Sequence, residues 1–507
     1  MTNGHHLTLI ASLVLTGTTT PLYAAVQAEQ ATRAAIARVQ QIDPAIHSVV
    51  AIDPTAIAQA KRVDAAGLSG PLAGVPVLIK DNIETTGPLP TTAGSLALID
   101  NVTNRDAPLV ARLRQAGAVI LGKTNLSEWA NIRSNHSISG WSAVGGQTRN
   151  PHALDRDPCG SSSGSGAAVA AGIVDYAIGT ETDGSITCPA AINGIVGFKP
   201  TVGMVSRTHI VPISVSQDTA GPMTRTVRQA AEMLSVIAGS DSADPATQAA
   251  GAHRRDFAAS LDAHGLHGTR IGVMRFASGF GTDEPFTAAL AVLKAQGATL
   301  VEIKTFDDKA IGPNENKVLM AELKAGMNAY LATTPRTVAS RTLADLIAFN
   351  KAHAGQEMAL FGQETFITAE KTKGISDPVY KKARLISFTA AGPNGIDRLL
   401  KANHLDALVG PTMPPAWKID AANGDQIAGG GAGSLAAVAG YPHLTVPMGQ
   451  VKGLPVGLSF IGAKWADGKI LSLGYAYEQA SHAIVTPRFP PSIEQVPPVA
   501  QQLMPQR

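Results

Sequence analysis

Three short stretches of this chain carry the residue types of acyl transfer. Lys80 ends the run Gly74-Val75-Pro76-Val77-Leu78-Ile79-Lys80 and is followed by Asp81-Asn82. Two glycine-rich segments each hold serines: Cys159-Gly160-Ser161-Ser162-Ser163-Gly164-Ser165-Gly166 and Glu181-Thr182-Asp183-Gly184-Ser185-Ile186. Together they offer a nucleophile, a proton relay, a base and backbone N–H donors, with no need for a histidine. A lysine behind an apolar run is placed for burial rather than for the surface. Burial disfavours the ammonium form and lets an amine act as a base.

The elements that must position these residues follow from periodicity and breakers. Residues 75–79 read as a short buried strand ending at Lys80. Residues 107–116 read as an amphipathic helix closed by Gly117, followed by a strand over residues 118–122. Residues 167–173 read as a helix of small residues, and 175–180 as a strand running into the second serine segment. A helix is expected over residues 31–42, ended by Asp43-Pro44. Helices over 227–238 and 286–296 and strands over 270–274 and 298–303 continue the alternation. Residues 434–439 read as a small-residue helix, and residues 405–411, 444–446 and 456–461 as later strands. This pattern predicts an α/β fold: one large domain with a mixed, mostly parallel central sheet covered by helices on both faces. Residues 305–400 are richer in charge and helix formers and are expected to form a helical cap or insertion.

Other motifs compete for the same letters. Residues 117–124 fit Gly-x-x-x-x-Gly-Lys-Thr, but the four middle residues read as a strand, and a phosphate loop needs its strand before the first glycine. Residues 160–164 fit Gly-x-Ser-x-Gly around Ser162. Asp157-Pro158 stands where that turn would need a strand. The residues alone leave a Ser/His/Asp arrangement open, although no histidine sits in a comparable motif. Gly- and Ser-rich loops can also be plain tight turns or anion-binding loops.

The order and spacing of the three stretches resemble the amidase signature family, most strongly from about Gly70 to Arg228. Ser161 and Ser185 are 24 positions apart, as in that family. Within it the chain is most similar to the peptide-amidase branch. That likeness is carried by Gly122-Lys123-Thr124-Asn125-Leu126-Ser127-Glu128-Trp129-Ala130-Asn131, by Ser137-Ile138-Ser139-Gly140-Trp141-Ser142 and by Ser216-Gln217-Asp218-Thr219-Ala220-Gly221-Pro222-Met223. The resemblance implies Ser185 as nucleophile, Ser161 as relay behind a cis peptide bond, and Lys80 as base. It implies an oxyanion hole from the backbone N–H groups of Thr182, Asp183, Gly184 and Ser185. Many family members have glycine where this chain has Asp183, and a carboxylate there must point away from the oxyanion. Asn125, Trp129, Trp141, Asp218 and Thr219 are candidates for binding substrate or orienting the triad. Each could equally be a packing or turn residue. The implied reaction is hydrolysis of the C-terminal carboxamide of peptides, without metal or organic cofactor. A broad small-amide amidase, an inactive binding protein and an amidotransferase A-type subunit stand as alternatives.

Composition narrows the partners. The 507 residues carry a formal net charge of +2 and only 16% charged residues. No basic run has the length of a nucleic-acid patch, so a small-molecule or peptide amide is the expected partner and nucleic acid is not. Residues 7–15 form an apolar run, and small residues follow up to Ala28. That is the pattern of an export signal over residues 1–28, with the amidase domain over 29–507 and a secreted or periplasmic location. The run is too short to leave a membrane anchor after processing. Without that signal the chain would be cytoplasmic. The two cysteines, Cys159 and Cys188, each flank a serine motif. Buried free thiols are the default expectation, with pairing open if the motifs meet.

Overall fold

The computed structural model describes residue 1, residues 27–497 and residues 499–504. The apolar run read as an export signal lies outside the described residues. Short runs of β-branched and apolar residues bounded by glycine or proline become thirteen strands. They are β1 (Val49–Ile52), β2 (Pro76–Lys80), β3 (Val119–Thr124), β4 (Trp141–Ser142), β5 (Gly146–Gln147), β6 (Tyr176–Glu181), β7 (Val196–Lys199), β8 (Thr219–Thr224), β9 (Arg270–Met274), β10 (Thr299–Ile303), β11 (Ala407–Pro411), β12 (His443–Val451) and β13 (Leu454–Ile461). β4 and β5 form a small hairpin. The other eleven make one sheet in the order β1-β3-β2-β6-β8-β7-β12-β13-β11-β9-β10.

The sheet is mixed, as expected, with helices on both faces. Parallel pairs join β3, β2 and β6 toward one edge, and β11, β9 and β10 at the other. Antiparallel pairs fill the centre from β6 to β11. The strands obey the two-residue alternation of a pleated sheet covered on both sides. Val77 and Ile79 of β2 join one core with Leu109 and Leu113 of the helix Pro108–Gln115 and Leu234 of Val227–Ile237. Leu78 faces the opposite core, with Val39 and the small-residue helix Ser163–Ala170. Residue 80 falls on the same side as Leu78, so the pleat alone aims Lys80 at that helix.

Several boundaries differ from the sequence reading, β12 running over His443–Val451 rather than residues 444–446, and two of the differences have a visible cause. The first helix spans Ala28–Ile46 and runs through Pro44. Asp43 makes the late ending possible: its carboxylate accepts the N–H groups of Ser48 and Val49, and its backbone carbonyl accepts that of His47. The small-residue helix begins at Ser163, inside the serine segment, not at residue 167. Glycine and serine are poor helix formers in isolation. Here the Gly164 N–H donates to the Asn125 carbonyl, and Ser165 Oγ donates to the Ile178 carbonyl, so tertiary contacts overrule propensity. Between residues 312 and 402 the chain is largely helical. Leu323, Met327 and Leu331 of Gly312–Leu331 pack with Leu343, Leu346 and Phe366 in a separate apolar cluster.

Gly164 tests which effect governs this region. Replacing a helical glycine by alanine ordinarily adds roughly 0.5–1 kcal/mol. At Gly164 a Cβ would lie 2.2 Å from the Ser48 carbonyl oxygen and 2.6 Å from that of Asn125, both backbone atoms. Overpacking of this kind costs about 1–3 kcal/mol. Gly164→Ala should therefore lower the thermal midpoint. Gly355→Ala, where the new Cβ meets nothing within 4 Å, should hold or raise it. A rise with Gly164→Ala would contradict the close approach.

Candidate active site

Lys80 leaves the end of β2 and enters a pocket of hydroxyl groups. Its Nζ lies 2.7 Å from Ser161 Oγ, 3.0 Å from Ser162 Oγ, 2.9 Å from Thr180 Oγ1 and 3.3 Å from the Thr180 carbonyl oxygen. The side chain is fully buried. Burial holds its pKa well below that of a free lysine, while the negative charges of Glu181 and Asp218 pull the other way. The hydrogens can be counted. Ser162 Oγ donates to the Thr180 carbonyl, and Asn82 Nδ2 donates to Thr180 Oγ1. Both hydroxyl oxygens can therefore accept from Lys80. A neutral amine has two N–H groups for them, and its lone pair is left for the Ser161 hydroxyl.

The two serine segments meet because β6 delivers one and the helix Ser163–Ala170 begins in the other. The Ser162 N–H donates to the Ser185 carbonyl, and the Thr180 N–H donates to Ser162 Oγ. The peptide bond between Gly160 and Ser161 is cis. Gly179 leaves room for this approach: a Cβ there would stand 2.8 Å from Ser162 Oγ.

The turn after β6 is held by a carboxylate that sequence reasoning did not single out. Glu181 Oε2 accepts the N–H groups of Ile186 at 2.8 Å and Thr187 at 2.9 Å. That fixes the chain on the far side of Ser185. Gly184 sits at φ +78°, in the left-handed region that only glycine enters freely. Among the described residues no acceptor takes the N–H groups of Asp183, Gly184 or Ser185. The arrangement supplies unspent backbone donors next to a serine. Ser185 is nearly buried and opens on a cleft of about 360 Å³. The side chain of Asp183 is turned to Ser434, whose Oγ donates to its Oδ2 at 2.6 Å.

The remaining sequence candidates divide. Asp218 accepts from Thr182 Oγ1 at 2.6 Å and from the N–H groups of Ile213 and Ser214, so it braces the turn before Ser185. Burial raises its pKa to about 6. Thr219 is the first residue of β8 and lines a small cavity beside Thr180 and Asp218. Asn125 is a staple of the loop beyond β3. Its Nδ2 donates to the Gly140 and Gly146 carbonyls and to Thr148 Oγ1, and its Oδ1 accepts from Ser142. Trp129 is 2% exposed and packs edge-on against Phe366, while Trp141 packs against Phe361. Neither tryptophan lines the cleft; the backbone neighbours Ala130 and Asn131 do. The segment puts its large ring in the core and its small residues at the opening. Behind the site, Lys123 is buried with Asp81 at 3.8 Å and donates to the Ile83 carbonyl and Thr91 Oγ1.

Two expectations about cysteine and histidine are settled by geometry. The default of two buried free thiols is overturned: Cys159 and Cys188 form a disulfide, their Cα atoms 6.0 Å apart. The meeting of the serine segments brings them within bridging distance. Among the described residues no histidine hydrogen-bonds Ser161, Ser162 or Ser185. His443 faces Ser459 Oγ and is held neutral by burial, its pKa pushed down to about 3.

Comparisons with known proteins bear on the family and the fold. The family model described as Amidase matches residues 30–471. A probable amidase of Arabidopsis thaliana is 39% identical over 466 residues, covering 89% of this chain and 86% of that protein. A glutamyl-tRNA(Gln) amidotransferase subunit of Pseudomonas aeruginosa is 36% identical, covering 90% and 94%. The native peptide amidase of Stenotrophomonas maltophilia superposes with a TM-score of 0.87 at 50% identity, covering 92% of this chain and 96% of that one. A peptide amidase bound to the competitive inhibitor chymostatin gives 0.88 at 50%, with the same coverage.

The bridge gives a direct test of how the two segments are held. Closing a loop of 29 residues removes denatured-state entropy worth about 3–4 kcal/mol. The double variant Cys159→Ala/Cys188→Ala should lose stability of that order in non-reducing urea denaturation. Unreduced wild-type protein should show no thiol that alkylates. Two alkylated cysteines in unreduced protein would refute the bridge.

Proposed function

The chain belongs to the amidase signature family and is an amidase, and on that premise we propose that it hydrolyses the C-terminal carboxamide of peptides with Ser185, Ser161 and Lys80. The observation that carries the reading is the buried, hydroxyl-bound Lys80 amine 2.7 Å from Ser161 Oγ. Ser185 Oγ attacks the carboxamide carbon and passes its proton to Ser161, whose own proton goes to Lys80. The carbonyl oxygen gains charge against the N–H groups of Thr182, Asp183, Gly184 and Ser185. Preorganised donors of this kind each supply about 3–4 kcal/mol. Collapse expels the nitrogen, which takes a proton back through Ser161 and leaves as ammonia. Water then repeats the sequence on the Ser185 ester and releases the peptide acid. The fifty per cent likeness to the peptide amidase of Stenotrophomonas maltophilia supports the substrate class.

The same reading extends to organisation and place. We take residues 29–507 as the working amidase domain and the helical segment around residues 305–400 as its cap. Leu319 of Gly312–Leu331 lines the cleft, which supports that role. We place the enzyme outside the cytoplasm. A disulfide at the centre of the site suits an oxidising compartment, as does the signal-like pattern of the first 28 residues. No described helix is long and apolar enough to cross a membrane.

Lys80 must be neutral to work, and burial lowers its pKa. The rate should therefore fall as pH drops and the amine takes a proton. Lys80→Ala should lose about 10²–10⁴-fold in kcat/KM and lose that acid limb. In Asp218→Asn a negative charge that favours the ammonium is gone, so the limb should move to lower pH. A limb that stays in place in Lys80→Ala would assign it to another group.

Mass spectrometry tests the substrate. A peptide amide should give the full-length peptide acid and ammonia, with internal bonds intact. Ser185→Ala should form no ester and release almost no ammonia. Shorter fragments would mean a protease. Turnover of acetamide-sized amides with none of peptide amides would favour the broad amidase.

A further inference from the structure

The cleft in front of Ser185 contains two charged side chains, Asp183 and Asp425, and no cationic one. Asp425 is fully engaged. It accepts the Ser139 N–H and the Trp417 indole N–H on Oδ1, and the Ser139 hydroxyl on Oδ2. Asp183 is engaged on one side alone. Ser434 Oγ holds Oδ2 at 2.6 Å, and Oδ1 has no hydrogen-bond partner among the described residues. The tether comes from the opposite wall, at the start of the helix Ser434–Ala439. It fixes the carboxylate so that its second oxygen is an oriented acceptor in the cleft. Asp183 is half-buried and lines the cleft, so a substrate N–H can take the place of solvent on that oxygen.

The position of that oxygen relative to the reaction limits which N–H can fill it. The scissile carbon must sit on Ser185 Oγ. Its oxygen must face the free N–H groups of the same turn, and its leaving nitrogen must face Ser161. The third substituent of the carbon is then the Cα of the substrate's last residue, which must lie in the cleft that Asp183 and Ser185 both line. Asp183 is the one acidic side chain of that turn. A peptide amide carries an α-N–H one bond from this Cα, and a simple aliphatic amide carries none.

We propose that Asp183 Oδ1 accepts the α-N–H of the substrate's C-terminal residue and so separates peptide amides from simple amides. The assignment rests on the proposed peptide-amide reading and adds a specificity residue to it. It also gives a purpose to the carboxylate in a turn where glycine would serve the oxyanion hole equally well.

The test pairs the enzyme with two substrates that differ in one atom. N-acetylphenylalanine amide carries the α-N–H, and 2-acetoxy-3-phenylpropanamide has oxygen in its place. Ammonia release gives kcat/KM for each. In the wild type the N–H substrate should be favoured by about 10–100-fold, the range of a hydrogen bond to a charged group. In Asp183→Ala both rates can fall, but the ratio should collapse to within about threefold of one. Asp183→Asn keeps the shape of the side chain and a neutral acceptor, and its ratio should lie between. It carries the test if the alanine variant does not fold. A wild-type ratio near one overturns the proposal. So does an undiminished ratio in both variants, and ammonia release in the wild type would then leave the amidase reading standing. Failure of the wild type to release ammonia from either amide would remove the peptide-amide reading and this one with it.

Discussion

Everything at this site depends on keeping one amine in a dry place without a counter-ion. Lys80 is buried among three hydroxyl oxygens and a carbonyl, and among the described residues no carboxylate hydrogen-bonds it. A paired carboxylate would favour the ammonium form. Burial without pairing does the reverse, because desolvation penalises the charge and leaves a lone pair. Glu181 and Asp218 stand close enough to temper that effect but not to reverse it. The pleat of β2 supplies the direction, since Lys80 shares the face of Leu78 and meets the helix Ser163–Ala170.

The carboxylates near the amine are used as braces. Glu181 pins the chain after Ser185, Asp218 pins it before, and Asp183 is tied to Ser434 across the cleft. Glu181 accepts backbone N–H groups that would otherwise be buried unsatisfied. Removing one partner of such an arrangement ordinarily costs more than the bond itself, because the remaining group keeps its desolvation penalty. The turn around Ser185 is braced on both sides for that reason, and among the described residues the N–H groups of Asp183, Gly184 and Ser185 find no acceptor.

Close backbone approach is the second requirement. A Cβ on Gly160 would stand 2.0 Å from Ser127 Oγ, and one on Gly164 would run into the backbone of Ser48 and Asn125. The glycines of the serine segments are there to let three layers of chain pass within contact distance. The Cys159–Cys188 bridge ties the first serine segment to the helix Thr187–Ile192 that follows the second.

The family and the candidate residues were legible in the sequence because their motifs are local. Lys80, Ser161, Ser185 and the Gly184 turn stand in short motifs whose order and spacing carry the family. The strands at residues 75–79 and 270–274 and the helix at 227–238 follow from period and breakers. What the sequence could not supply lies in contacts between distant segments. The helix at Ser163 forms against propensity because Asn125 and Ile178 take its hydrogen bonds. The first helix passes Pro44 because Asp43 receives the chain beyond it. The two cysteines pair because β6 and the helix Ser163–Ala170 bring their segments together. Trp129, for which residue type left cleft and core both open, turns inward because the cluster around Phe366 offers apolar contact that the opening does not. Residue type and spacing fixed which groups can react; burial and hydrogen-bond partners, which exist only after folding, decided which of them are neutral, braced or free.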